Sequence, residues 1–186
     1  MFVDPSGNYN RQAAVDYANR YWLIPNLEYY YYETDCTNYV SQVIFAGGIE
    51  MNGNWHSYKK LNWLKCLLYP FKIPQLVFDW DINRTWSVAG AQFNYFSNPS
   101  NGYINGNIIS IFSPNSIANA AENCGVQPGD LLYFVKDGKI HHAAVITKIA
   151  DGKIYYNGHT SSRKEQDLSE TMGNDAIYIV RIKDEA

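Results

Sequence analysis

PGDLLYFVKDGKIHHAAVITKIADGKIYYNGH, residues 128–159, is the stretch whose reading decides the fold. Within it, 131–135, 140–149 and 153–157 are rich in Ile, Val and Tyr, and Asp137-Gly138 and Asp151-Gly152 have the form of two-residue hairpin turns. A further apolar run over 176–183 extends the pattern, so the C-terminal part reads as an antiparallel meander. Counting back from Asp151-Gly152, Ala150 faces Lys153, Ala144 faces His159 and His142 faces Ser161. That register places His142 and His159 on one face as diagonal neighbours and turns His141 to the other.

Upstream the pattern changes to helices. Residues 10–22 carry Ala13, Ala14, Tyr17, Ala18, Tyr21 and Trp22 at three- and four-residue spacings, with Asn10 as N-cap. A second helix is capped by Thr34 or Asp35, presents Tyr39, Val40, Val43 and Ile44 as one apolar face, and stops at Gly47-Gly48. Cys36 falls in its first turn. Residues 51–84 lack sustained periodicity and read as a long loop with short elements. A third helix is predicted over 85–96, burying Trp86, Ala89, Phe93 and Phe96, whereas 98–125 carries no clear period. Helices first and a sheet afterwards argue an α+β class, with the Cys36 helix packed on the sheet.

Size and charge exclude several functions. A chain of 186 residues can bury a core as one domain without disulfide or metal staples. Its net charge of −3, with no cluster of Lys or Arg, argues against a nucleic-acid partner. No run of 18 apolar residues predicts a membrane span, and MFVDPSGNYNR lacks the basic and apolar regions of a signal peptide. Sixteen tyrosines and five tryptophans suit surfaces on which sugars or flat peptides stack, or simply a Tyr-rich exterior. The three cysteines, Cys36, Cys66 and Cys124, give neither a disulfide framework nor zinc-site spacing, although a bridge between Cys66 and Cys124 stays open.

The chemistry centres on Cys36. A helix N-terminus offers the positive end of the dipole and unpaired N–H groups, which stabilise a thiolate and can hold the oxyanion of a tetrahedral intermediate. Alone, such a cysteine is equally a small buried residue. His142 is the candidate general base and His159 its orienter, with Asn157 as reserve orienter through its amide oxygen. A zinc site built from Cys36, His142 and His159 is a third reading and lacks a fourth ligand.

The segments DCTNYVSQVIFAGGI, WSVAGAQFNYF, PGDLLYFVKDGKIHHAAVITKI and YNGHTSSRKEQDL resemble, in this order, the putative amidase domain family related to CHAP and NlpC-type peptidoglycan hydrolases. The resemblance implies one papain-like amidase or peptidase domain over 1–186, with 51–84 as a loop-rich insertion and the nucleophile helix packed on a small antiparallel sheet. It implies Cys36 as nucleophile, His142 and His159 as its histidine partners, and a tyrosine among Tyr29 to Tyr32 that helps hold the substrate carbonyl. His141 stands where relatives often have Asp. The expected activity is cleavage of an amide or peptide bond, in peptidoglycan or another peptide, through a thioester and without cofactor or metal, outside the cell or at its wall. A non-catalytic binding module and a thioester-based acyltransferase or deamidase are the alternatives.

Overall fold

Asp137 and Asp151 take positive φ, 50° and 52°, and the glycines that follow take 72° and 68°, so both Asp-Gly pairs close hairpins. Asp tolerates this left-handed region through its short polar side chain and Gly through its missing Cβ. The computed structural model describes residues 8–68, 74–172 and 176–185; the first seven residues and 69–73 of the loop-rich stretch lie outside the described residues.

The helical front consists of α1 (Arg11–Tyr21) and α2 (Cys36–Ala46). The middle holds β1 (Ser57–Leu61), α3 (Trp63–Leu68), α4 (Pro74–Val77), β2 (Phe78–Ile82), α5 (Arg84–Ser87) and α6 (Ala89–Phe96). The rest is β3 (Ile109–Ile111), α7 (Pro114–Asn123), β4 (Leu131–Lys136), β5 (Lys139–Ala150), β6 (Lys153–Gly158), β7 (Arg163–Asp167), α8 (Leu168–Thr171) and β8 (Ala176–Val180). Among the described residues β1 and β2 form a small ladder of their own, and six strands form one antiparallel sheet in the order β3-β8-β4-β5-β6-β7. The class is α+β.

Period two along the strands divides the core into two layers. Leu131, Tyr133, Ala143 and Val145 face α1 and α2, where Tyr39, Val40, Val43 and Ile44 are fully buried. Leu132, Phe134, Ala144, Ile146 and Tyr156 face α7 and α8. Asp130 of the Pro-Gly-Asp turn ties the layers to the N-terminus: its buried carboxylate accepts from Arg11 Nη1 at 2.8 Å and from the N–H groups of Gln127 and Ile182 at 2.8 and 3.0 Å. Burial pushes this carboxyl up, and the Arg11 guanidinium pulls against it.

Two local expectations change. The helix over 85–96 is two pieces, because Val88 is extended at φ −121° and ψ 119°. Breaking there lets Trp86 turn inward, where its indole N–H donates to Asn38 Oδ1 at 2.7 Å. The second change is in β5. Lys148 faces Tyr155 but Ile146 faces Tyr156, leaving Thr147 as a bulge whose hydroxyl donates to Asn157 Oδ1 at 3.3 Å. Beyond the bulge every pair moves by one residue, so Val145 faces Asn157. The expected pairs Ala144 with His159 and His142 with Ser161 do not form, and His142 and His159 come to lie on opposite faces.

Candidate functional site

Cys36 opens α2, 8 % exposed, in the helical turn whose N–H groups lack intrahelical acceptors. Asp35 occupies the N-cap position without making a side-chain cap bond. Its carboxylate is committed elsewhere, accepting from Asn38 Nδ2 at 2.7 Å, the Tyr32 N–H at 3.2 Å and His159 Nδ1 at 2.9 Å. The other ring nitrogen of His159 donates to the Tyr21 carbonyl at 2.5 Å, and the ring stacks on Tyr39 with centroids 4.1 Å apart. Both nitrogens of His159 therefore have oxygen partners and neither meets His142. Asn157 is likewise engaged, accepting from Thr147 and the Glu165 N–H and donating to Asn19 Oδ1 at 2.9 Å.

His142 lies on the sheet face away from α2. Its ring is tilted against Phe134 at 5.3 Å between centroids, and a Cβ at Gly158 would stand 3.4 Å from its Nε2. The ring thus lies over β6 at Gly158, at a distance a Cβ would meet in ordinary contact. The register of β4 and β5 shifts between Phe134, which faces His142, and Val135, which faces Ile140, so His141 sits at the bulge, and the two imidazoles are 6.5 Å apart. Among the described residues the His142 ring has no hydrogen-bond partner. Burial, with a smaller contribution from the charge of Arg163, lowers its pKa to about 4, so at neutral pH it is an uncharged acceptor.

One cleft of about 340 Å³ joins these groups. Thr34 and Cys36 line it from the start of α2, His141, His142 and Phe134 from the sheet, and Thr160 and Arg163 from the end of β6 and the start of β7. Cys36 and His142 reach it from opposite layers, around the open end of the sheet. The sulfur's hydrogen-bond contact is with its neighbour, Thr37 Oγ1, at 3.7 Å. The connection after β6 is bent sharply: Thr160, a β-branched residue, sits at φ 76°, and its hydroxyl accepts the Asp35 N–H at 3.2 Å. That bond and the Asp35–His159 pair hold the start of α2 against the strand end that carries Thr160 and His159.

A larger hollow of about 680 Å³ beside β1, lined by Phe45, Met51 and Tyr58 among others, takes in Tyr29 but none of Cys36, His142 and His159. None of Tyr29 to Tyr32 is among the described residues lining the Cys36 cleft: Tyr29 stacks on Trp86, and Tyr30 packs on Tyr32 and Trp80. All three cysteines are free. Among the described residues no three His, Cys, Asp or Glu side chains are grouped to hold a metal ion, so the zinc reading of Cys36, His142 and His159 finds no site. No helix among them is long and apolar enough to cross a membrane.

Sequence reasoning missed two residues. From sequence Asp35 reads only as a helix cap, and its position directly before Cys36 is the available signal. Arg163, five residues past Gly158, gave no signal beyond its charge. The polar residues inside apolar α2 also find their reason here. Ser41 Oγ accepts from Trp55 Nε1 at 3.0 Å and Gln92 Nε2 at 2.6 Å and donates to the Trp86 carbonyl, while Gln42 accepts from Tyr17. These bonds fix the helix that presents Cys36.

The family model described as a putative amidase domain matches residues 8–182. Two curated proteins of Bacillus subtilis (strain 168) are similar. Uncharacterized protein YjcM is 26% identical over 165 residues, covering 83% of this chain and 32% of its own length. Uncharacterized protein YhbB is 27% identical over 141 residues, covering 74% of this chain and 37% of its own length. The chain thus spans about a third of the curated relatives it matches. No solved structure matches it.

Proposed function

Because the chain belongs to the putative amidase domain family, we propose that it hydrolyses an amide bond with Cys36 as nucleophile and His142 as general base. The observation that carries this reading is the shared cleft: the cysteine at a helix N-terminus and a half-buried, uncharged imidazole line the same hollow. His142 takes the thiol proton, the sulfur attacks the amide carbonyl, and the first-turn N–H groups of α2 receive the oxyanion. The protonated imidazole then gives its proton to the leaving amine, and water, activated by the same ring, releases the acyl group from sulfur. His159, expected as orienter, takes a different part: with Asp35 it positions α2.

Within this proposal the fold is papain-like and related to the CHAP and NlpC types, and the substrate is a peptide amide of bacterial peptidoglycan, encountered outside the cell or at its wall. Support comes from the resemblance of the four sequence segments and from a nucleophile helix packed on an antiparallel sheet. The test is digestion of purified peptidoglycan by the wild type and by Cys36→Ala, with released fragments identified by mass. The wild type should release new amino and carboxyl termini, and the variant should lose at least about a thousandfold in rate. Equal release by both would remove Cys36 from the mechanism. A second reading, a wall-binding module without turnover, draws on the bond of the sulfur to Thr37 instead of an imidazole; binding without fragment release by the wild type would favour it.

A further inference from the structure

The described residues lining the Cys36 cleft include Arg163 and two histidines but neither Asp nor Glu. Arg163 is half-buried, and its guanidinium donates to an uncharged partner, Gln166 Oε1, at 3.3 Å. The acids of its own segment are engaged elsewhere. Glu165 stands 3.9 Å from Lys148, Asp167 pairs with Lys153 at 2.8 Å, and Glu170 accepts from Gln166. Among the described residues no carboxylate reaches ion-pair distance of Arg163. The guanidinium's charge is felt inside the cleft, since it opposes protonation of His142 and favours ionisation of Tyr156.

A half-buried guanidinium that lines the same cleft as a nucleophile and has, among the described residues, unused donors and no counter-ion is a recognition group for a planar anion. From this arrangement we infer that Arg163 is a specificity-determining residue that binds a free carboxylate of the substrate next to the amide attacked by Cys36. The substrate class is therefore narrowed to amides flanked by an acidic group, such as a peptide whose neighbouring residue carries a side-chain or terminal carboxylate. Uncharged amides of the same shape would leave the Arg163 charge partly desolvated and unpaired, which disfavours them.

This inference rests on the assignment of Cys36 as a reactive thiol, and the test separates the two. Cys36 is alkylated with iodoacetate or with iodoacetamide, which place the same leaving group beside a carboxylate or a carboxamide, and the modified peptide is quantified by mass. Each rate is divided by that of a free model thiol under the same conditions. With Arg163 in place the iodoacetate to iodoacetamide ratio should exceed that of the model thiol by about tenfold at low salt. It should fall to the model-thiol value in Arg163→Gln and stay raised in Arg163→Lys, which keeps the charge. A wild-type ratio equal to that of the model thiol, or one unchanged in Arg163→Gln, would overturn the carboxylate subsite and leave the nucleophile reading intact. A Cys36 that reacts with neither reagent would overturn the nucleophile reading and this inference with it.

Discussion

Two sides of one sheet end behave differently, although each contains a histidine withdrawn from solvent, His159 fully and His142 in part. On the α2 side, His159 is enclosed: Asp35, the Tyr21 carbonyl and the Tyr39 ring account for both nitrogens and one face, and its side chain is 7 % exposed. On the other side, His142 is half-buried against Phe134 and Gly158, has no hydrogen-bond partner among the described residues, and opens on a cleft shared with Cys36. A fully partnered polar group rigidifies its surroundings, whereas an unpartnered one is held ready for another molecule or another state. The first region is therefore read as scaffold and the second as chemistry, and substitutions should separate them by what they damage.

The largest effect is expected from His142→Ala, which should lower kcat by about 10²- to 10⁴-fold, the usual contribution of a general base, while the thermal midpoint moves little. Steady-state kinetics on an amide substrate, with His141→Ala as the control, measure it. If His141→Ala abolished activity and His142→Ala did not, the two neighbours would exchange roles and the comparison would break.

Asp35→Ala should act in the opposite manner. Removing Asp35 leaves the buried His159 Nδ1 and the carboxylate's other donors without their acceptor, which is expected to cost about 1 to 3 kcal/mol of stability, read from denaturant titration. Activity measured well below the melting range should fall less than in His142→Ala. An Asp35→Ala protein with unchanged stability would show that the junction does not hold α2 in place.

An effect of comparable size distinguishes His142 by pH. Its folded pKa of about 4 lies below the unfolded value of 6.5, so the unfolded chain binds a proton that the folded one refuses. Stability from this group is complete above pH 6.5 and is lost as pH falls towards 4, by about 3 kcal/mol in total. The difference between wild-type and His142→Gln stability should therefore shrink or reverse across that window. A constant difference would mean that the ring already carries its proton when folded.

Much of this geometry was legible in the chain, for identifiable reasons. Asp-Gly pairs specify positive φ locally, so both hairpins and the antiparallel sheet could be read without tertiary knowledge. The α2 boundaries were equally local, set by Asp35 before Cys36 and by the glycines at 47 and 48. The bulge at Thr147 was not legible, because it answers to both layers at once: Ala143 and Val145 must meet α2 while Ala144 and Ile146 meet the opposite core. One extra residue sufficed to separate His142 from His159. The break at Val88 was hidden for a related reason, since Trp86, Ala89, Phe93 and Phe96 keep helical spacing whether or not the helix is continuous. The pairing of Asp35 with His159 joins residues 124 apart, which no local pattern encodes.

Whether sulfur and imidazole meet across the cleft is tested most directly by bridging them. Wild-type protein is treated with 1,3-dibromoacetone, a short reagent able to alkylate a thiol at one end and an imidazole at the other, and the joined peptides are sequenced by mass spectrometry. A cross-link between Cys36 and His142, lost in His142→Ala and kept in His141→Ala, is the expected result. Alkylation of Cys36 with no histidine attached, or with His141 or His159 in its place, would contradict the account.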